Sequence, residues 1–189
     1  FKELNQQYSE KYSKDQGKEL IEKNLNFDIV IPVNSKRQII DRDDKEICTF
    51  CTFPLIGSEN FQLPYIINCP VFETSTERKG LILDGDEKDS SDILTNTGLN
   101  RLVLNKSIDL FSEILDYLIE MNYSNFSSFS NGVKLNNQFT HKIKNVLKNK
   151  PIVRTSSNQL IPLNKAIFLD FNNIKDKKIF HSLSAAFYL

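Results

Sequence analysis

At 189 residues, with 24 basic and 24 acidic side chains and 40% apolar residues, the chain is sized for about one domain that buries roughly two thirds of its unfolded surface. The zero net charge lacks the basic footprint that long phosphate backbones select, so no nucleic-acid partner is expected. No apolar run nears the roughly 20 residues that span a bilayer, and the polar N-terminus carries no secretory pattern, so the expectation is a cytoplasmic protein without a membrane partner.

Residues 1–26 are polar and helix-compatible, with sparse apolar positions at Leu4, Tyr8, Tyr12, Leu20, Ile21 and Leu25 and an interruption at Gly17. They read as one weak helix or two short ones, expected to be a linker from an upstream domain, and with the opening on Phe1 in mid-pattern the expectation is a piece of something longer. Residues 27–33, FDIVIPV, form a β-branched strand that Pro32 pushes toward an edge or a bulge. The charged stretch 34–46 around Ile39 and Ile40 fits an exposed hairpin, and 47–55 returns to β-prone residues, which together predict an antiparallel meander. A fourth strand falls within 63–72, where Pro64 and Pro70 each remove a ladder donor and confine any central pairing to the residues between them.

That strand opens into Glu73, Thr74, Ser75, Thr76, Glu77, Arg78, Lys79 and Gly80, a loop rich in hydroxyls and charge. Residues 84–97 are acidic, small and without period, and are expected to be mobile; Asp84, Gly85 and Asp86 lack the ligand spacing of a calcium loop and read as a surface turn. From 99 to 121 the pattern becomes helical, because Leu104, Ile108, Phe111, Leu115 and Leu118 step by four, three, four and three. A Ser/Asn-rich loop follows over 122–137; its sequon-like triplets at Asn122 and Asn125 carry no glycan argument without a secretory signal. Residues 139–148 predict a short helix ending in lysines, 151–162 a hairpin that 165–168 continues, and 177–189 a last amphipathic piece. The expected organisation is a linker over 1–26, an α+β core over 27–150 and a C-terminal hairpin and helix over 151–189.

None of the phosphate-cradling, nucleophile-elbow or zinc-protease motifs occurs. Cys48 and Cys51 form one CxxC, but Cys69, His141 and His181 do not complete a zinc spacing, and a strand would point 48 and 51 to opposite faces. The three thiols therefore read as structural. With two histidines and no paired carboxylates in an apolar frame, a self-contained enzyme is not expected, and a structural or binding module is the plain reading.

The stretch CTFPLIGSENFQLPYIINCPVFETSTERKGLIL, followed by an acidic gap and LNKSIDLFSEILDYL, resembles the segment downstream of the ATPase domain in sacsin-like proteins. There, apolar strands lead to a polar turn with one or two arginines and then to a long helix. The tail KPIVRTSSNQLIPLNKAIFLDF is similar to a later element of that family, with Asn158 where glycine is usual. Sacsin-like proteins share a GHKL-type ATPase with the heat-shock-protein-ninety chaperones, so the resemblance implies a middle, transducer-like domain. Its implied fold is α+β, a mixed or antiparallel sheet of four or five strands with the 99–121 helix on one face, resembling the ribosomal-protein-S-five-like middle domains.

In those chaperones an arginine at the end of the corresponding strand reaches the γ-phosphate of ATP held by the N-terminal domain. Arg78 matches that role and Lys79 is its neighbouring candidate. A guanidinium presents a planar, permanently charged fork to phosphate oxygens, and supplying it from a second domain ties hydrolysis to domain closure. A lone arginine in a polar loop also pairs readily with a local carboxylate, here Glu73 or Glu77. The pocket elements of a GHKL ATPase are missing, so the chain alone should hold no cofactor. Mg-ATP is implied for the full-length protein, with the upstream ATP-binding domain as partner and protein clients as further ones. The alternative is a non-catalytic protein-protein interaction domain that docks partners through Phe-rich surfaces.

Overall fold

A computed structural model of the chain describes residues 25–43, 45–58, 63–75, 80–83, 96–131 and 138–166. The helix read over 1–26, apart from its last two residues, the acidic stretch 84–95 and the amphipathic piece 177–189 lie outside them.

The described residues build an α+β unit. A four-stranded sheet holds β1 (Asp28–Val30), β2 (Thr49–Cys51), β3 (Phe53–Pro54) and β4 (Ile66–Asn68), and the helices are α1 (Asn96–Glu120), the single turn α2 (Ser128–Asn131) and α3 (Gln138–Asn149). A separate antiparallel ribbon pairs β5 (Val153–Arg154) with β6 (Leu160–Ile161), and a short 3-10 turn follows over Leu163–Lys165. No helix among the described residues is long and apolar enough to cross a membrane.

The sheet order β1-β4-β2-β3 corrects the expected meander. β4 runs antiparallel to β1, with Ile29 opposite Ile67, and parallel to β2, with Thr49 opposite Ile67, so the sheet is mixed. Burial decides this order: Tyr65, Ile67 and Cys69 are fully enclosed, and the segment with the most apolar surface to hide takes the centre. Its two prolines limit the paired part to three residues, as their missing donors require. β1, followed by Pro32, occupies an edge.

The segment 47–55 is two strands rather than one. Thr52 takes φ 63 and folds β2 back onto β3, bringing Cys51 opposite Phe53. A β-branched residue in the left-handed region is strained. Its N–H donates to Asn68 Oδ1 on the neighbouring strand β4, at 3.3 Å.

One apolar cluster joins the sheet to both longer helices. Val103, Leu104, Ile108, Phe111, Leu115 and Leu118 of α1 are all buried in it, which places the whole predicted stripe against the core. Phe139, Ile143 and Leu147 of α3 join from the other side. Tyr65 stacks at 5.0 Å from Phe111, which meets Phe129 edge-on at 5.2 Å, and Phe129 lies 6.4 Å from Phe126. These aromatic pairs run from the sheet, through α1, to the segment beyond it. Inside this core the Tyr65 hydroxyl pairs with Ser107 Oγ at 2.8 Å, and Ser107 donates to the Leu104 carbonyl at 2.8 Å, so neither buried hydroxyl is orphaned. Burial pushes the Tyr65 phenol well above its ordinary range, and the Ser107 hydrogen bond only partly opposes it.

The 34–46 stretch is less exposed in function than its charge implies. Ile39 is buried while Ile40 is open to solvent. Arg42 is largely enclosed and donates to the carbonyls of Leu63 and Ile47 at 3.2 and 3.3 Å, and to Glu46 at 3.3 Å, stitching this stretch to the entry of β4.

Candidate functional site

The sequence singles out the loop after β4, and the structure shows what holds its base. Thr74 bridges Leu81 in antiparallel fashion, Ser75 N–H donates to the Gly80 carbonyl at 3.1 Å, and Ile82 N–H donates to the Glu73 carbonyl at 3.2 Å. The segment is thus a narrow ribbon whose two legs come together at Ser75 and Gly80. Gly80 adopts φ 142, and an added Cβ would meet nothing within 4 Å. Backbone conformation rather than space is what calls for glycine there. Arg78 and Lys79 belong to residues 76–79, which lie outside the described residues.

A residue not singled out from the sequence fixes this ribbon to the helix. Asn100, fully buried near the start of α1, accepts from Glu73 N–H at 2.9 Å and donates to the carbonyls of Glu73 and Ile82 at 2.7 and 2.9 Å. One carboxamide therefore satisfies three backbone groups on both legs. Arg101 continues the clamp: its Nε and Nη2 donate to the Leu83 carbonyl at 3.3 and 2.8 Å. The signal was available, because Asn100 stands four residues before Leu104 on the apolar stripe, where a polar side chain needs partners.

The three cysteines are free thiols on or next to the strands β2 and β4. Cys48 and Cys69 are buried and Cys51 is half-buried. Cys48 Sγ donates to the Ser58 carbonyl at 3.0 Å, Cys51 Sγ lies 3.5 Å from the carbonyls of Pro70 and Phe72, and Cys69 Sγ reaches the Asn26 carbonyl at 3.6 Å. Burial pushes the Cys69 thiol up to about 11, which keeps it protonated and unreactive near neutrality. Each thiol serves a backbone carbonyl, and among the described residues no group of three His, Cys, Asp or Glu could hold a metal ion.

A second concave feature lies beyond the other end of α1. A half-open groove of about 840 Å³ runs between α3, the β5–β6 ribbon and residues 124–127, with Phe126, Leu147, Ile152 and Leu160 among its apolar lining. It draws on segments spread from Gln38 to Leu163, which is why no local pattern in the sequence announces it. Asn125, in φ 66, closes one corner: its Nδ2 donates to the Ile39 carbonyl and to Ser128 Oγ, both at 2.7 Å, so the amide of this sequon-like triplet is used inside the fold.

Comparison with protein-family models, curated proteins and solved structures gives no match.

Proposed function

We propose that the chain is the middle, transducer-like part of a sacsin-like, chaperone-type ATPase and that it offers Arg78, with Lys79 beside it, to the γ-phosphate of ATP held by a GHKL domain of the same protein. The observation that carries this reading is the clamped ribbon. The loop containing Arg78 springs from legs that Asn100 and Arg101 tie to the start of α1, so the order strand, polar turn, long helix also has a fixed spatial base. An arginine supplied across a domain boundary is useful only from such a base, because a guanidinium must meet the phosphate fork in one orientation. Asn158 adds support: it occupies the position where the family's tail has glycine, and it takes φ 65, a left-handed conformation that asparagine tolerates best after glycine. In this reading the α+β unit corresponds to a ribosomal-protein-S-five-like middle domain, and Mg-ATP binds elsewhere in the protein.

The test is steady-state ATP turnover of the full-length protein carrying Arg78→Ala. The expected loss is about 10³-fold, the scale of arginine fingers in phosphoryl transfer. Unchanged turnover in a variant with the parental melting temperature removes Arg78 from catalysis. What would then stand is a non-catalytic protein-interaction domain, a reading favoured by Phe53 on β3 and Ile56 in the turn after it, which leave 63% and 69% of their surfaces in solvent.

A further inference from the structure

We infer that Cys51 and Cys69 form an oxidation site, a thiol pair that hydrogen peroxide converts to a disulfide joining β2 to β4, an inference independent of the ATPase reading. The register carries it. β2 and β4 run parallel with Thr49 opposite Ile67 and Phe50 opposite Asn68, so the next rung sets Cys51 beside Cys69. Neighbouring strands stand about 4.8 Å apart, inside the span of roughly 4.4–6.8 Å between the Cα atoms of a disulfide. Both thiols share the core face of the sheet, because side chains two residues apart lie on one side of a strand. Thr49 and Ile67 are fully buried on that face, and Cys51 packs against the apolar cluster to which Cys69 belongs.

The local bonding agrees. Cys69 N–H donates to the Phe50 carbonyl at 2.9 Å, and Cys51 Sγ lies 3.5 Å from the carbonyl of Pro70, the residue after Cys69. Past this rung the ladder stops, since Thr52 N–H turns to Asn68 Oδ1 and the Cys69 carbonyl takes Phe72 N–H instead. No further rung therefore resists the closing of the two sulfurs. Access sets the order of events: Cys51 is half-buried, whereas Cys48 and Cys69 are 1% and 0% exposed. The Cys51 sulfur gives up its proton and attacks one peroxide oxygen; the O–O bond breaks, Cys51 becomes a sulfenic acid, and the other oxygen leaves with that proton as water. Cys69 acts second. Its sulfur attacks the Cys51 sulfur, the S–O bond breaks, and the hydroxyl departs as water with the Cys69 proton. The two thiols lose two electrons, and one peroxide becomes two waters. Cys48, whose Sγ donates to the Ser58 carbonyl at 3.0 Å, stays a thiol.

The experiment treats the native 189-residue chain with hydrogen peroxide, blocks the remaining thiols with N-ethylmaleimide in urea, and maps the product with chymotrypsin, whose cleavage after Phe50, Phe61 and Tyr65 separates the three cysteines. The expected product has lost two hydrogens, carries maleimide only on Cys48, links the fragments holding Cys51 and Cys69, and returns to three thiols in dithiothreitol. Cys69→Ser should stop at the sulfenic acid, trapped by dimedone on Cys51, and Cys48→Ser should leave the link intact. In the urea-unfolded chain the pairing should shift to Cys48 with Cys51, which close the shortest loop. Three results overturn the inference: all three thiols still blocked by maleimide after peroxide, a native link that includes Cys48, or the same mixture of pairings from native and unfolded chain.

Discussion

Two β-ribbons flank α1, one beside its first turns and one across the groove from the segment that follows it, and different chemistry fixes each. The ribbon whose legs are residues 73–75 and 80–83 is held by Asn100 and Arg101, side chains from the helix that take up its backbone groups. The β5–β6 ribbon is held by its own turn: Arg154 bonds Asn158, Thr155 Oγ1 accepts from Gln159 N–H at 3.1 Å, and Asn158 N–H donates to the Thr155 carbonyl at 3.0 Å. An isolated two-stranded ribbon is marginal in water, so each needs such help. External clamping fixes where a ribbon stands relative to the core. Internal bonding fixes its shape and leaves its seating to apolar contacts such as those of Ile152 against the core.

The largest expected effect breaks the external clamp. Asn100→Ala strands the Glu73 N–H and the carbonyls of Glu73 and Ile82, and should cost about 3 kcal/mol, seen as a melting temperature lower by about 6–12 °C. An unaltered melting curve would mean that water replaces the carboxamide. Alkali should act on the same ribbon next. Cys69, whose carbonyl accepts from Phe72 N–H at 3.2 Å just before the ribbon, titrates at about 11 instead of its ordinary 9. A raised acid pKa means that the folded state holds the proton longer, so the contribution is complete below pH 9 and is lost as pH rises toward 11. Melting temperature should fall from pH 9 to 10 in the parent and hold steadier in Cys69→Ala; Tyr65, also raised from its ordinary 10, adds its share only above that window. The smallest effect belongs to the internally bonded ribbon. Asn158→Ala places a Cβ-bearing residue without a helpful amide at φ 65 and should cost about 1–2 kcal/mol, whereas Asn158→Gly should stay within about 0.5 kcal/mol of the parent. Equal losses in both variants would assign the cost to the Arg154 bond rather than to the backbone.

The same contrast explains what could be read from the residues. The stripe of α1 was legible because five apolar side chains repeat with helical spacing and nothing else buries them all. The edge position of β1 followed from Pro32, and the brevity of β4 from Pro64 and Pro70. Strand order was not legible: alternation reports which side chains are buried, not which neighbour buries them, and the parallel pairing of β2 with β4 joins residues separated by a reversal at Thr52. That reversal was hidden because threonine is a poor candidate for positive φ. Asn100 was visible only as a misfit in an apolar row, and the groove was invisible because its walls come from distant segments. Arg78 and Lys79 were reached through a family resemblance, which supplies a role for them that their surroundings in the sequence do not.

The clamp at Asn100 has a counterpart at the far end of the same helix. Arg37 Nη1 donates to the Met121 carbonyl at 3.1 Å, and Ser124 exchanges backbone bonds with Arg37 and Ile39 at 3.0 Å. Between Asn100 and Met121 lies one unbroken run of α1 ending in a turn, about 31 Å at the usual rise per residue. Crimped at both ends, α1 works as a spacer: it sets how far the ribbon at Asn100 stands from Ser124 on the wall of the groove.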